Sequence, residues 1–253
     1  MQTSERLTFR QKLTFLAHLF KAVTRDHHRE LLPVLRGRLD AEAVVLDIGA
    51  HAGQFAKLFA GLCPRGRVYA FEPGGYARAI LTRVVRLRSL DNVRVVPMGL
   101  SDADGEVDLA MPLKASGSIG FGLAHMGEAD DGRPARHETV ATTTLDAFVA
   151  ANPLPRIDLI KADIEGWEVR FLRGGLASIA RYRPALFLEV VGDHLRRAGS
   201  QPSEAWTLLS PIGYRAHRLT VDNTLVPVEG FDGDGDYLFL PERDHADSGA
   251  QAG

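Results

Sequence analysis

"VVLDIGAHAGQF", residues 44 to 55, is a run of apolar residues up to Asp47 that then turns through two glycines, Gly49 and Gly53, into a helical pattern. An apolar run of this length suits a strand covered on both faces. Glycine lets the backbone turn sharply and approach a ligand, and the start of a helix presents unpaired N–H groups. The spacing is G-x-x-x-G, so the dinucleotide fingerprint G-x-G-x-x-G is absent. Taken alone, the stretch is either a structural strand-to-helix turn or a ligand cradle, and its neighbours must decide.

Outward from it the same alternation recurs. "RVYAFEP" (67–73), "VRVVPMG" (93–99), "IDLIKAD" (157–163) and "ALFLEVVG" (185–192) are strand-like runs. "GQFAKLFAGLC", "GYARAILTRVVRLRSL" and "EGWEVRFLRGGLASIAR" between them are each long enough for a crossover helix. A β-α-β-α-β order predicts an α/β domain with an open, doubly wound sheet. At the far end, "GYRAHRLTV" (213–221) and "DYLFLP" (236–241) read as an antiparallel pair at a sheet edge, joined by a linker that ends in the tight turn "DGDGD". Asp104-Gly105 carries hairpin-like turn chemistry, and "ETVATTTLDAFVA" (138–150) runs extended and then helical. Between these, residues 114–137 are Gly-rich without a clear period, as in a lid loop or an insertion.

One main domain over 41–242 is expected, with a helical extension at 1–40 and a flexible tail at 243–253. Residues 8–23 form an amphipathic pattern suited to packing on that domain, with a membrane surface or a partner as the other use. Lys plus Arg (30) nearly balance Asp plus Glu (32), which argues against broad capture of nucleic acid. The single cysteine, Cys63, forms no internal disulfide and supplies no Cys-rich metal site. No continuous apolar stretch at the N-terminus marks a signal peptide or a transmembrane segment, and a cytoplasmic location is expected.

The second strand-like run ends in Glu72, followed by Pro73 and Gly74. A carboxylate at the tip of a strand beside the glycine turn suits the two hydroxyls of a ribose, because it accepts both bonds. In order along the chain stand Asp47-Ile48-Gly49-Ala50-His51-Ala52-Gly53, Phe71-Glu72-Pro73, Asn92-Val93 with Gly99-Leu100-Ser101-Asp102, Thr144-Leu145-Asp146, and "IDLIKADIEGWE" from Ile157 to Glu168. This set resembles the FkbM family of class I S-adenosylmethionine-dependent methyltransferases over about residues 44–192, with a matching "GDYLFLP" near the end. Two positions depart from the family pattern: His51 stands where Asn is common, and Gly99 where Ala is usual.

The resemblance implies a Rossmann-like methyltransferase sheet of seven strands, doubly wound and mostly parallel with an antiparallel edge strand. It implies S-adenosyl-L-methionine as cofactor and methyl transfer to a hydroxyl of a sugar, glycan or small natural product. Asp47, Gly49 and Gly53, with His51 beside them, would shape the pocket for the amino acid end of the cofactor. Glu72 and Pro73 would face the ribose, and the turn through Met98, Ser101 and Asp102 the adenine. The other readings are a non-catalytic cofactor- or partner-binding module of the same fold, or a nitrogen acceptor. An NAD-dependent oxidoreductase is disfavoured by the missing third glycine.

Ligands of open α/β sheets bind beyond the carboxyl ends of the strands, where strand order reverses. The run with Asp163 should neighbour the first strand, which puts Asp163 near the transferred methyl. Three roles stay open for Asp163 and Glu165: base and substrate clamp, ligands of a divalent ion, or helix N-terminal residues favoured by the dipole. Mg²⁺ with Glu189 as a third ligand is conceivable but not expected to be obligatory. Lys161 would balance buried acids or contact substrate. Among the histidines considered as bases, His194 follows the fifth strand and is better placed than His125 or His137. Trp167 reads as core packing. Nothing in the composition names the acceptor or an oligomeric state.

Overall fold

The computed structural model describes residues 9–112, 125–126, 135–220 and 224–242. In chain order these form α1 (Phe9–Thr24), a 3-10 turn (Arg29–Leu31), α2 (Leu32–Arg36), β1 (Val44–Ile48), α3 (Gln54–Leu62), β2 (Arg67–Phe71), α4 (Gly75–Leu87) and β3 (Val93–Val96). An excursion follows: β4 (Gly99–Leu100), β5 (Gly105–Pro112), β6 (His125–Met126) and β7 (Ala135–Thr143). The chain returns through α5 (Leu145–Ala151), β8 (Leu159–Ala162), α6 (Glu168–Arg173), α7 (Leu176–Tyr182), β9 (Ala185–Val190), α8 (Gly192–Arg197) and α9 (Glu204–Leu209). It closes with a second 3-10 turn (Ser210–Ile212), β10 (Tyr214–Leu219), β11 (Leu225–Val228) and β12 (Gly235–Pro241).

The doubly wound α/β reading holds. The main sheet has the order β11-β10-β12-β9-β8-β1-β2-β3, with β3, β2, β1, β8 and β9 mutually parallel. β1 and β8 are buried at every residue, as their mostly apolar runs imply, with Asp47 and Lys161 as the charged exceptions, and they pair from Val45↔Leu159 to Ile48↔Ala162. From β1 the chain winds one way through β2 and β3, then returns to the other side of β1 with β8 and β9. The reversal opens a crevice at the carboxyl ends of β1 and β8.

Three details differ from the sequence reading. Among the described residues the main sheet has eight strands, because β11 forms inside the linker read as loop; Pro227 is tolerated there since β11 is an edge strand. Asp104-Gly105 does not close a β4–β5 hairpin: β7 lies between them, and both Gly99 and Gly105 pair with Thr142. The Asp104 carboxylate instead accepts from Thr143 Oγ1 at 2.6 Å, fastening the turn to β7. The crossover after β8 is two helices broken at Gly174–Gly175, where a Cβ on Gly174 would lie 2.0 Å from the Ser101 carbonyl oxygen.

The excursion forms a second sheet, β4-β7-β5-β6. Glu138 on β7 accepts from Gly75 N–H at 3.0 and 3.1 Å, so a carboxylate meets the first turn of α4 and anchors this sheet beside the β2–α4 turn. Most of the expected lid, 114–137, and the tail 243–253 lie outside the described residues; His125–Met126 and the start of β7 are strand. The basic face of α4 is solvated, with Ile80, Leu81 and Val84 buried. α1 packs Phe15, Leu19 and Val23 on that helix, and His18 Nδ1 lies 3.1 Å from Tyr76 Oη. After α1, His28 adopts a left-handed backbone and stacks on Phe55 at 4.1 Å, close to the carboxyl end of β1. Among the described residues no helix is long and apolar enough to cross a membrane.

Candidate active site

At the ends of β1 and β2 the acidic residues are enclosed by backbone. Gly49 and Ala50 donate to the Phe71 carbonyl at 3.1 and 2.9 Å, which folds the glycine turn over the tip of β2. Gly49 has φ +74°, and a Cβ there would sit 2.0 Å from the Asp163 carbonyl oxygen. Gly53 has φ +86° and abuts Leu81. Both glycines are therefore required by backbone conformation and by packing of protein on protein, in addition to any ligand they face.

His51 lies between them at φ +49°. Asn, Asp and His are the side chains that tolerate this region, so His in place of the family's Asn keeps the backbone requirement. Burial pushes the His51 imidazole down to about 4, leaving it neutral near pH 7. Glu72 is buried, its Oε2 accepting from His51 N–H and its Oε1 from Gly74 N–H, each at 2.8 Å. Burial raises its pKa to about 7 against those two hydrogen bonds. Each oxygen keeps a second lone pair, so Glu72 ties the two loops together and still has acceptor capacity.

Asp47 is fully buried, and neither oxygen has a hydrogen bond of normal geometry. Burial pushes its pKa up while Lys161, with Nζ 3.5 Å from Oδ1, pulls it down. Lys161 bridges the two halves of the site. Its ammonium donates to the Gly49 carbonyl at 3.2 Å, lies 5.0 Å from the Phe55 ring centre, and stands 3.5 Å from Asp163 Oδ2. Burial would lower the pKa of this ammonium, but Asp47 and Asp163 outweigh it and hold the group above its ordinary value.

At the ends of β8 and β9 the acids face one another. The Asp163 side chain is 41% exposed, the open end of the Asp47–Lys161–Asp163 row. Glu165 holds φ +55° and Gly166 φ +104°, where a Cβ would lie 2.3 Å from the His194 carbonyl oxygen. A non-glycine residue in this region marks local strain of about 1–3 kcal/mol. The turn is closed from inside by buried Glu168, which accepts from Ile164 N–H at 2.9 Å and Gly166 N–H at 3.4 Å. The turn presents Glu165 Oε2 3.0 Å from His194 Nδ1. Burial, then Asp163, raises Glu165 to about 7; burial, then Arg197, lowers His194. Glu189, the penultimate residue of β9, is hydrogen-bonded to Asp163 and lies opposite Asp236 in the β9–β12 register.

The structure thus brings Asp47, Gly49, His51, Gly53, Glu72, Asp163, Glu165 and His194 to one end of the sheet. Ser101 and Asp102 make their contacts elsewhere: Ser101 N–H donates to the Thr143 carbonyl, its hydroxyl to Asp102, and Asp102 pairs with Arg170 on α6 at 3.5 Å. Met98 packs against the core, and the Pro73 carbonyl accepts from Arg78. His137 sits on β7 opposite Ala110, and the side chain of His125 is outside the described residues. Trp167 is buried, with Arg170 over its ring at 4.8 Å. Among the described residues no group of three His, Cys, Asp or Glu is arranged to hold a metal ion. Sequence reasoning missed Glu168 as the organiser of the turn, because in the sequence it is indistinguishable from an ordinary acid in the first turn of a helix.

Residues 47–216 match the family model for the methyltransferase FkbM domain, and the chain belongs to that family. It is 29% identical over 164 residues to the 2-O-methyltransferase NoeI of Sinorhizobium fredii, covering 62% of this chain and 65% of that protein. It is 32% identical over 197 residues to the antimetabolite synthetase AmbE of Pseudomonas aeruginosa, where the match spans 66% of this chain but 9% of the relative. The chain therefore spans less than two thirds of the length of these relatives. Among solved structures, the FkbM methyltransferase of Methylobacillus flagellatus superposes with a TM-score of 0.50 at 14% identity, over 90% of this chain and 59% of that one, a likeness of fold.

Proposed function

We propose that this FkbM-family chain transfers the methyl group of S-adenosyl-L-methionine to a hydroxyl of a sugar, glycan or small natural product. One observation carries the reading: Asp163, whose partly exposed carboxylate pairs with buried Lys161, lays its backbone carbonyl against the glycine turn at the strand-order reversal. The name of NoeI, a 2-O-methyltransferase, supports oxygen as the acceptor atom.

The residues present fit the donor. Glu72 keeps a free lone pair on each oxygen for ribose hydroxyls, and Asp47 has two buried oxygens without normal hydrogen bonds beside the turn that would hold the amino acid end. The donor supplies an electrophilic methyl group on a positively charged sulfur. The protein's part is to orient, to exclude water and to take a proton, and orientation contributes up to about 7–11 kcal/mol in the best intramolecular cases. Asp163 receives the acceptor's hydroxyl proton. The Glu165–His194 pair, about 28–29% exposed at each side chain, holds the acceptor on the other side.

Incubation of the purified chain with methyl-labelled donor and a panel of polyhydroxylated acceptors tests this. Label is expected in an O-methyl product, and Asp163→Ala abolishes its formation while donor binding persists. Binding of donor with no transfer to any acceptor class would support the non-catalytic alternative.

A further inference from the structure

Asp163 and Glu189 extend neighbouring parallel strands, β8 and β9, and their carboxyl groups are hydrogen-bonded to each other. Ionised carboxylates have acceptors only, so this contact requires one proton held in common. Every element around the pair adds charge. β8 contributes Lys161, shared with Asp47 of β1; the turn after β8 contributes Glu165, and α6 Glu168. α8 contributes His194 with Arg197 behind it, and β12 Asp236 opposite Glu189. Acids outnumber bases here, and burial followed by Asp163, Glu165 and Glu168 pushes Glu189 up to about 8. The pair therefore holds this shared proton at neutral pH. Asp163 also adjoins Gly49, whose Cβ position is 2.0 Å from its carbonyl oxygen, so a ligand cradled by the glycine turn lies next to the pair.

We infer that the Asp163–Glu189 pair gives one proton to solvent when the positively charged methyl donor binds, and regains one from the acceptor during transfer. The inference rests on the donor reading above. In the free protein the pair carries one negative charge. A positive charge within about 4–6 Å lowers a carboxyl pKa by about 1–3, enough to discharge the proton into water. The pair then carries two negative charges against the sulfonium. As the acceptor oxygen forms its bond to the methyl carbon, the carbon–sulfur bond breaks and its electron pair stays on sulfur as a neutral thioether. The hydroxyl proton passes to Asp163 and is shared with Glu189. Two negative charges facing one positive become a single negative charge, so the net charge of the site is the same before and after. The reaction's one net proton has left at the binding step. Glu189 acts through Asp163 and is a positioning residue.

Titration calorimetry of the full chain at pH 7, in phosphate and in Tris, counts protons released on binding. For a lowering of about 2 from about 8, S-adenosylmethionine should release roughly 0.8 of a proton from this pair. Glu189→Gln keeps an amide hydrogen bond to Asp163 but has no proton to lose, so its count with the same ligand should fall by that amount. Donor affinity of the native chain should rise with pH between about 6 and 8, while affinity for S-adenosylhomocysteine, whose sulfur is neutral, should not show this rise; this second measurement needs no variant. Equal proton counts in native and Glu189→Gln proteins, or parallel pH profiles for the two ligands, overturn the inference. Failure of both ligands to bind overturns the donor reading instead.

Discussion

The two halves of the site treat buried acids in opposite ways. At β1 and β2, Glu72 is surrounded by backbone N–H groups, and the turn it fastens is set by glycines that fit only against protein. At β8 and β9, Asp163 lies close enough to raise the pKa of Glu165 and of Glu189, and the buried cation Lys161 pairs with Asp163 and with neither glutamate. A carboxylate whose charge is met by fixed amide dipoles is suited to holding a ligand in place. One met by other carboxyls changes protonation readily, which suits proton transfer. The sequence places acids at all four strand ends and does not distinguish these cases.

The sharpest break between the halves is expected from Asp163→Asn. It keeps shape and loses the proton acceptor, so kcat should fall about 10²–10⁴-fold while donor Kd changes by no more than about tenfold. Steady-state rates and calorimetric Kd on one preparation decide it; a fall of less than tenfold moves the proton to His194.

Gly49→Ala should act on the opposite half and through the fold. The added methyl meets the Asp163 carbonyl oxygen at 2.0 Å on a backbone at φ +74°. Strain and overpacking of about 1–3 kcal/mol each suggest a loss of roughly 2–6 kcal/mol in urea unfolding. Gly53→Ala should cost less, since the atom it meets at 2.8 Å is the end of the Leu81 side chain. Similar losses at the two positions would show that the β8 loop yields as readily as a leucine.

The difference between these glycines marks what was legible beforehand. Predominantly apolar runs identified β1, β8 and β9, because a strand covered on both faces favours apolar residues on both alternating sides. Placing the run with Asp163 beside the first strand then followed from the fold. β11 was hidden because Pro227 reads as a loop residue when edge position is unknown. The order of β4, β5 and β7 was hidden because the turn chemistry of Asp104-Gly105 says nothing about which strand intervenes. Within the site, Asp163 was legible as a strand end. The fastening of Glu72 by His51 and Gly74, and of the 164–166 turn by Glu168, is side-chain geometry that no spacing encodes.

The carboxyls also make stability depend on pH. Glu72, Glu165 and Glu168 are raised to about 7 and Glu189 to about 8, chiefly by burial. An acid whose pKa is higher folded than unfolded binds more protons in the native state, so stability falls as pH rises from the unfolded value through the folded one. His28, His51 and His194 are lowered, and their opposing effect fades as the unfolded histidines deprotonate and is largely gone by about pH 7.5. Between about pH 6.5 and 8 the carboxyls outweigh it, and the Tm of the ligand-free chain should decrease. Glu189→Gln should flatten the upper part of that decline, and Glu72→Gln the lower part. A Tm that rises across this window would mean that the acids are ionised at no net cost.

The smallest effect is expected where the chain departs from its family. At φ +49°, His51 occupies a conformation that Asn tolerates at least as well, and its backbone N–H, which holds Glu72, is unchanged by substitution. Its imidazole is neutral near pH 7, so His51→Asn removes no charge from the site. Stability should stay within about 0.5 kcal/mol of the native chain, and donor affinity within about threefold. His51→Val, with a β-branched side chain in the same conformation, should cost about 1–3 kcal/mol and loosen the Glu72 bond along with it. If Asn at 51 instead cost as much as Val, the imidazole itself would be a working contact, and the β1–β2 half could no longer be described as a scaffold held by backbone amides.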